Sequence, residues 1–211
     1  MRGKLIYYGC FQSNNQNILL SILGWVIRPH VLFMLLLDFE TIPSSLEIVP
    51  MIEWSGSETL RTEQLATPVN IAIIQHTVSK ECSTDEECVA TVKSMQRYQM
   101  ETGFTDIAYS FMVAATGKVY EGAGWTKVGA HTRTYNDKSL GIAFIGNFHE
   151  KLPTPEALQS AKDLLEYGVK NNYLSADYQL MGHRQLTITV SPGDVLYEEI
   201  QHWPHWTDNT Q

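Results

Sequence analysis

The chain has little cysteine, little charge and no unbroken apolar run long enough to cross a bilayer. Of its 211 residues 3 are Cys, and 18% are charged. Lys and Arg number 15 against 23 Asp and Glu, a formal net charge of −8, so the cation surplus that a nucleic-acid backbone demands is missing. No His-x-x-x-His or Cys-x-x-Cys pair marks a zinc site, and no Gly-x-Ser-x-Gly elbow marks a serine hydrolase. The scattered Asp and Glu single out no glycosidase pair. Gly and Pro show no period, which excludes a fibre, and a hydrophobic content of 44% is too high for a disordered chain. What is left is one acidic globular domain with enough chain to bury a core, plus an appendage.

Residues 1–45 form that appendage. Two apolar runs, ILLSILGWVI and VLFMLLL, are separated by Arg28, Pro29 and His30, with Arg2 and Lys4 upstream. Each run is too short for a span, which takes about 20 residues, and an Arg and a Pro at the midpoint of a joint span would be costly. A basic start followed by a short apolar run suits a secretory signal, with a signal-anchor or a plain hydrophobic extension as alternatives. Export agrees with the cysteines. Cys82 and Cys88 bracket the acidic STDEE segment at a spacing that can close a small ring in an oxidising compartment, and two free thiols are the alternative.

Residues 46–211 read as an α/β domain with a central mixed β-sheet flanked by helices. VNIAIIQHTV (69–78) is a buried strand. Residues 85–101 have helical spacing behind Ser83, Thr84 and Asp85 as caps, and Gly103 ends the helix. AYSFMVA and GKVYE form a hairpin, LGIAFIGNF (140–148) is another strand, and Thr154-Pro155-Glu156 opens a second helix. A short helix runs from Gly193 to about Trp203.

His76, His131 and His183 stand near strand or loop ends, where side chains converge over a sheet edge. A lone His is more often structural than a ligand. Trp125, Tyr109, Tyr120, Phe104 and Tyr135 cluster with Gly103, Gly122, Gly124 and Gly129, as in a shallow groove for sugars or extended peptides, although rings of this kind also pack cores.

The ordered blocks EIVPMIEW, IAIIQHTVSKEC, VKSMQRYQM, DIAYSFMV, GKVYEGAGWTKVGAHT, LGIAFIGNF, MGHRQLTITVSPGD and LYEEIQHWPHW resemble the peptidoglycan recognition proteins of animal innate immunity across residues 47–207. The resemblance implies the fold of zinc-dependent N-acetylmuramoyl-L-alanine amidases, a groove for a muramyl sugar and its stem peptide, and a Cys82–Cys88 disulfide. The family's amidases hold zinc with a His at the end of the first core strand, a second His in a Gly-His-Arg loop and a Cys eight residues later. Here those positions are Gln75, His183 and Ser191, while Tyr109 and Thr189 match the assisting residues. An amide and a hydroxyl are poor replacements for imidazole and thiolate on zinc. His76, the next residue on the strand, is expected to face the other way, and a one-residue bulge would be needed for it to replace the lost ligand.

No cofactor or metal is therefore expected, and no hydrolysis. The implied function is a secreted receptor (alternatively membrane-anchored) that binds bacterial peptidoglycan and signals through other recognition proteins or immune signalling proteins. The alternatives are a degenerate amidase and a regulatory member that pairs with its relatives. Groove contacts carried over are His76, Thr77, Gln99, Gly103, Phe104, Tyr109, Ala123, Trp125, His131, Thr132, Arg133 and His183. Diaminopimelate-selecting members carry Gly-Trp before Asp-Ile, and an Arg in the Tyr-Glu-Gly-Arg-Gly-Trp segment. Gly103-Phe104 and Ala123 stand here instead, which predicts no strong preference for diaminopimelate and a lean to Lys-type stems.

Overall fold

Within Val69–His76 the run Ile71–Ile74 is apolar on both sides, as a strand segment covered on both faces must be, while Asn70 is exposed. The computed structural model describes residues 46–209; the expected signal segment and Cys10 lie outside the described residues. Among the described residues one mixed sheet contains β1 (Ile48–Val49), β2 (Val69–His76), β3 (Phe111–Val113), β4 (Val119–Glu121), β5 (Ser139–Phe144) and β6 (Leu174–Gly182). Their spatial order is β1-β4-β3-β5-β2-β6, with every neighbouring pair parallel except the β3–β4 hairpin.

The helices are α1 (Met51–Ser55), α2 (Asp85–Glu101), α3 (Pro155–Lys170) and α4 (Asp194–Ile200), with a 3-10 turn at His183–Gln185. Ala157, Ala161, Leu164 and Leu165 of α3 and Leu196 and Ile200 of α4 pack with Ala72, Ile74, Ile142 and Phe144 on one face of the sheet. On the other face Cys88 and Val92 of α2 and Met51 and Trp54 of α1 pack with Met112, Ala143 and Ile145. Thr84 Oγ1 accepts from Glu87 N at 3.3 Å to cap α2, and Thr154 Oγ1 accepts from Ala157 N at 3.2 Å to cap α3 behind Pro155. Cys82 and Cys88 are disulfide-bonded, with Sγ atoms 2.04 Å apart.

Several expected boundaries move. β2 ends at His76 rather than residue 78, because Val78 turns the chain with φ +57°. β5 ends at Phe144 rather than residue 148, ahead of Gly146 at φ +150°. The last helix is Asp194–Ile200, shorter than the expected 193–203. β6 was not anticipated at all. Its Ala176 and Asp177 are exposed, and its ladder with β2 is interrupted between Val69 and Ile71, so it lacks an unbroken apolar run. Among the described residues no helix is long and apolar enough to cross a membrane.

Candidate ligand site at the carboxyl ends of β2 and β6

Parallel strands bring their carboxyl ends to one edge, the usual place for a ligand in such a sheet. Ile74 pairs with Gly182, so Gln75 on β2 and His183 after β6 leave their strands side by side. Ser191 closes the corner. Its Oγ accepts from the backbone N of His76 at 3.1 Å, and its carbonyl accepts from Arg184 N at 2.9 Å. Thr189 Oγ1 accepts from Ser191 N at 3.2 Å. Positions 75, 183, 189 and 191, separated by up to 116 residues of chain, are thus gathered at one corner.

Gln75 is buried, and its Nε2 donates to Thr132 Oγ1 at 2.9 Å and to the His131 carbonyl at 3.2 Å. The His131 ring lies in a slot between two backbones: a Cβ added at Gly129 or Gly141 would come within 2.7 or 2.3 Å of it. Its Nδ1 lies 3.1 Å from Thr132 Oγ1, and Thr132 N donates to Asn136 Oδ1 at 2.8 Å. Gln75 Oε1 and His131 Nε2 are buried without a hydrogen-bond partner.

His76 faces the other way, as period two requires. Its Nδ1 accepts from Phe148 N at 3.3 Å, and its ring meets those of Phe148 and His149, the latter at 5.4 Å between centroids. Burial depresses the pKa values of all three site histidines. His131 falls to about 3, with a further push from His183 and against an opposing hydrogen bond with the Ser139 backbone; His183 falls to about 4; His76 falls to about 4, lowered also by His149 and Arg184. All three are neutral at pH 7. Burial raises the Tyr109 pKa, so its phenol stays protonated.

The α2 side supplies a wall. Gln99 Oε1 accepts from Ala108 N at 2.7 Å, and the Gln99 carbonyl accepts from Phe104 N at 3.0 Å. Gly103, at φ +102°, makes the turn that leaves Phe104 41% exposed. Ala123 is buried, and its N donates to the Tyr109 carbonyl at 2.9 Å. Arg133 is exposed beside Thr132. Thr77 shares a 2.8 Å hydrogen bond with Ser79 and borders a cleft of about 420 Å³ along Thr91, Ser94, Met95 and Tyr98 of α2.

Trp125 does not join this group. It stacks on Tyr173 at 4.9 Å and meets Phe111 and Tyr167 against the α3 face, on the far side of the sheet. Gly168 of α3 admits its close approach: a Cβ there would lie 2.9 Å from the ring. One anchor carried no signal in its residue type. Buried Asp106 accepts from Thr59 Oγ1, Leu60 N, Gln96 Nε2 and Ile107 N, fastening the segment that leads to Tyr109. An Asp before an apolar block was the only hint.

The fold implies a zinc ion at this corner, and the donor set does not fit one. Gln75 spends its nitrogen on Thr132 and His131, Ser191 brings a neutral hydroxyl, and only His183 is a ligand type suited to zinc. Among the described residues no three His, Cys, Asp or Glu side chains converge as a metal site.

Residues 65–194 match the family model described as N-acetylmuramoyl-L-alanine amidase. A peptidoglycan recognition protein of Trichoplusia ni is 46% identical over 181 residues, spanning 85% of this chain and 100% of that protein. The solved structure of Drosophila peptidoglycan recognition protein SA is 47% identical, with a TM-score of 0.75 over 78% of this chain and 95% of its own. The ectodomain complex of peptidoglycan recognition proteins LCa and LCx, solved with bound tracheal cytotoxin, matches at 41% identity and a TM-score of 0.75, covering 77% of this chain and 99% of that one.

Proposed function

The chain belongs to the peptidoglycan recognition protein family, and from that premise we propose that it is a non-catalytic receptor for the muramyl peptides of bacterial peptidoglycan. The observation that carries the reading is the bonding of Gln75. Its amide is committed to Thr132 and His131, where a zinc enzyme needs a free imidazole. Catalytic zinc takes three protein ligands and leaves the fourth position for water; one histidine and one hydroxyl cannot hold that geometry or lower the water's pKa towards about 7. Binding has different requirements. Tyr109, neutral His183 and the exposed ring of Phe104 offer donors, acceptors and an apolar surface to a sugar and an extended peptide, at the strand ends where such ligands are held.

A relative's complex with tracheal cytotoxin supports peptidoglycan fragments as the ligand class, and the pairing of two recognition proteins in it supports the same kind of partner here. The receptor acts outside the cell, reading wall fragments and passing the signal through such partners. The disulfide agrees with an oxidising compartment. Titration with defined muropeptides, with zinc and released stem peptide measured on the same sample, tests the reading. Saturable binding without release supports it, and release that needs zinc overturns it.

A further inference from the structure

The open cleft of about 420 Å³ between α2 and the turn after β2 has no use in the site described so far. Its α2 residues are Thr91, Ser94, Met95 and Tyr98, spaced so that they share one side of the helix. Met95 stands one turn, about 5.4 Å, before Gln99, so the cleft extends the wall of Gln99 and Phe104 towards the helix N-terminus. Ser79 and Lys80 line the opposite side. Val78 makes the turn that brings them there, at φ +57°, a conformation that β-branched residues rarely adopt. It is held by Val78 N on the Gly146 carbonyl at 2.9 Å and by Gly146 N on Thr77 Oγ1 at 3.0 Å. Backbone strain fixed by its surroundings clusters at ligand sites. The lining is amphipathic. Tyr98 is 66% exposed, and among the described residues no ring or cation packs on it. The hydroxyls of Thr91, Ser94 and Tyr98 have no hydrogen-bond partner among the described residues, while Met95 gives an apolar floor that packs on the core.

We propose that this cleft is a second sugar subsite, which receives the N-acetylhexosamine that follows the muramyl sugar along the glycan strand. The inference rests on the receptor reading above and extends its ligand from a muramyl peptide to a length of glycan. A pyranose has an apolar C–H face and a rim of hydroxyls. The Tyr98 ring complements the face, and Thr91, Ser94 and Lys80 complement the rim. The acetamido methyl group suits the thioether of Met95. A phosphate or carboxylate would meet a single cation, Lys80, with the Glu87 carboxylate close enough to interact with it, and would leave the Tyr98 ring unused. The stem peptide is read at Gly103, Phe104 and Ala123, beyond the other end of α2, so the part of the ligand directed along Thr91–Tyr98 is the sugar strand.

Calorimetric titration of the full chain tests this, with one stem peptide carried either on the muramyl sugar alone or on the disaccharide. The disaccharide form is expected to bind about five- to tenfold more tightly. Tyr98→Ala removes an exposed ring that belongs to neither core cluster, so the fold is kept. It is expected to abolish the difference by weakening the disaccharide form alone. Tyr98→Phe retains the ring face and is expected to retain most of the gain, whereas Thr91→Val with Ser94→Ala is expected to lose part of it. Equal affinities in the unaltered protein overturn the inference and leave the receptor reading standing, and so does a gain undiminished in Tyr98→Ala. Failure of the unaltered protein to bind either form overturns the receptor reading and this inference with it.

Discussion

Ser191 Oγ accepts the backbone N–H of His76 at 3.1 Å, tying the loop after β6 to the last residue of β2. The bond holds position 191 at the corner whatever side chain stands at 75. A sulfur at 191 would accept the same N–H and still face the strand end.

The double variant Gln75→His with Ser191→Cys is therefore expected to bind zinc, since it adds an imidazole and a thiolate to His183. Elemental analysis after purification should give about one zinc per chain, the occupancy of a three-ligand catalytic site. Either single variant should retain much less. Hydrolysis is expected to be weak even in the double variant, because partners that orient the ligands are absent: Thr132 and the His131 carbonyl are arranged around an amide. Zinc at equal occupancy in the unaltered protein would contradict this.

The Cys82–Cys88 ring closes only 6 residues of separation, and both side chains are buried. Removing it with Cys82→Ala and Cys88→Ala is expected to destabilise the folded domain by about 2–3 kcal/mol, mainly by freeing the unfolded chain. Denaturant unfolding measures the loss, and thiol counting on residues 46–211 of the unaltered protein should find none. Two reactive thiols would refute the crosslink.

The depressed histidines make stability fall in acid. Each is neutral when folded and has an ordinary pKa of 6.5 when unfolded, so the unfolded state binds more protons as the pH drops below that value. Stability is complete above pH 7 and declines through the window from 6.5 towards 4 and 3. The fully buried His131 alone contributes a slope of up to about 1.4 kcal/mol per pH unit there. The urea midpoint should drop between pH 7 and pH 5, and a His131→Gln variant should show a shallower decline. An unchanged midpoint would contradict the burial of these rings.

A prediction on stem-peptide choice rests on the proposed receptor role and on position 123. Ala123 is buried with its N on the Tyr109 carbonyl, and it offers no charge to the extra carboxylate of diaminopimelate. The missing charge-assisted bond amounts to roughly 1.5–3 kcal/mol. Muropeptides that differ only in that residue should bind within about tenfold of each other by calorimetry, with the Lys form no weaker. A diaminopimelate preference beyond that would mean that another cation, such as Arg133, reaches the site.

Local rules made much of this molecule legible in advance. The caps Thr84 and Thr154, the stop at Gly103 and the β3–β4 hairpin depend on residues close in sequence, and they appear where expected. Period two also sent Gln75 and His76 to opposite faces of the sheet. β6 was illegible because its pairing with β2 is made by tertiary contact, through residues as polar as Gln179. Trp125 misled for a related reason: glycines beside an aromatic mark close approach, without saying whether a ligand or α3 approaches. The hydrogen bonds of Gln75 with His131 and Thr132 lay beyond reach as well, since they need residues 56 and 57 positions apart to meet.

The most direct test of the account is a single-sample measurement on the unaltered protein with a defined muropeptide, following binding by calorimetry and stem-peptide release by chromatography. Saturable binding with intact ligand recovered, unchanged by added zinc or chelator, is the result expected for a receptor in which Gln75 and Ser191 stand at two of the three zinc-ligand positions. Steady release of stem peptide, abolished by chelator and restored by zinc, would contradict it.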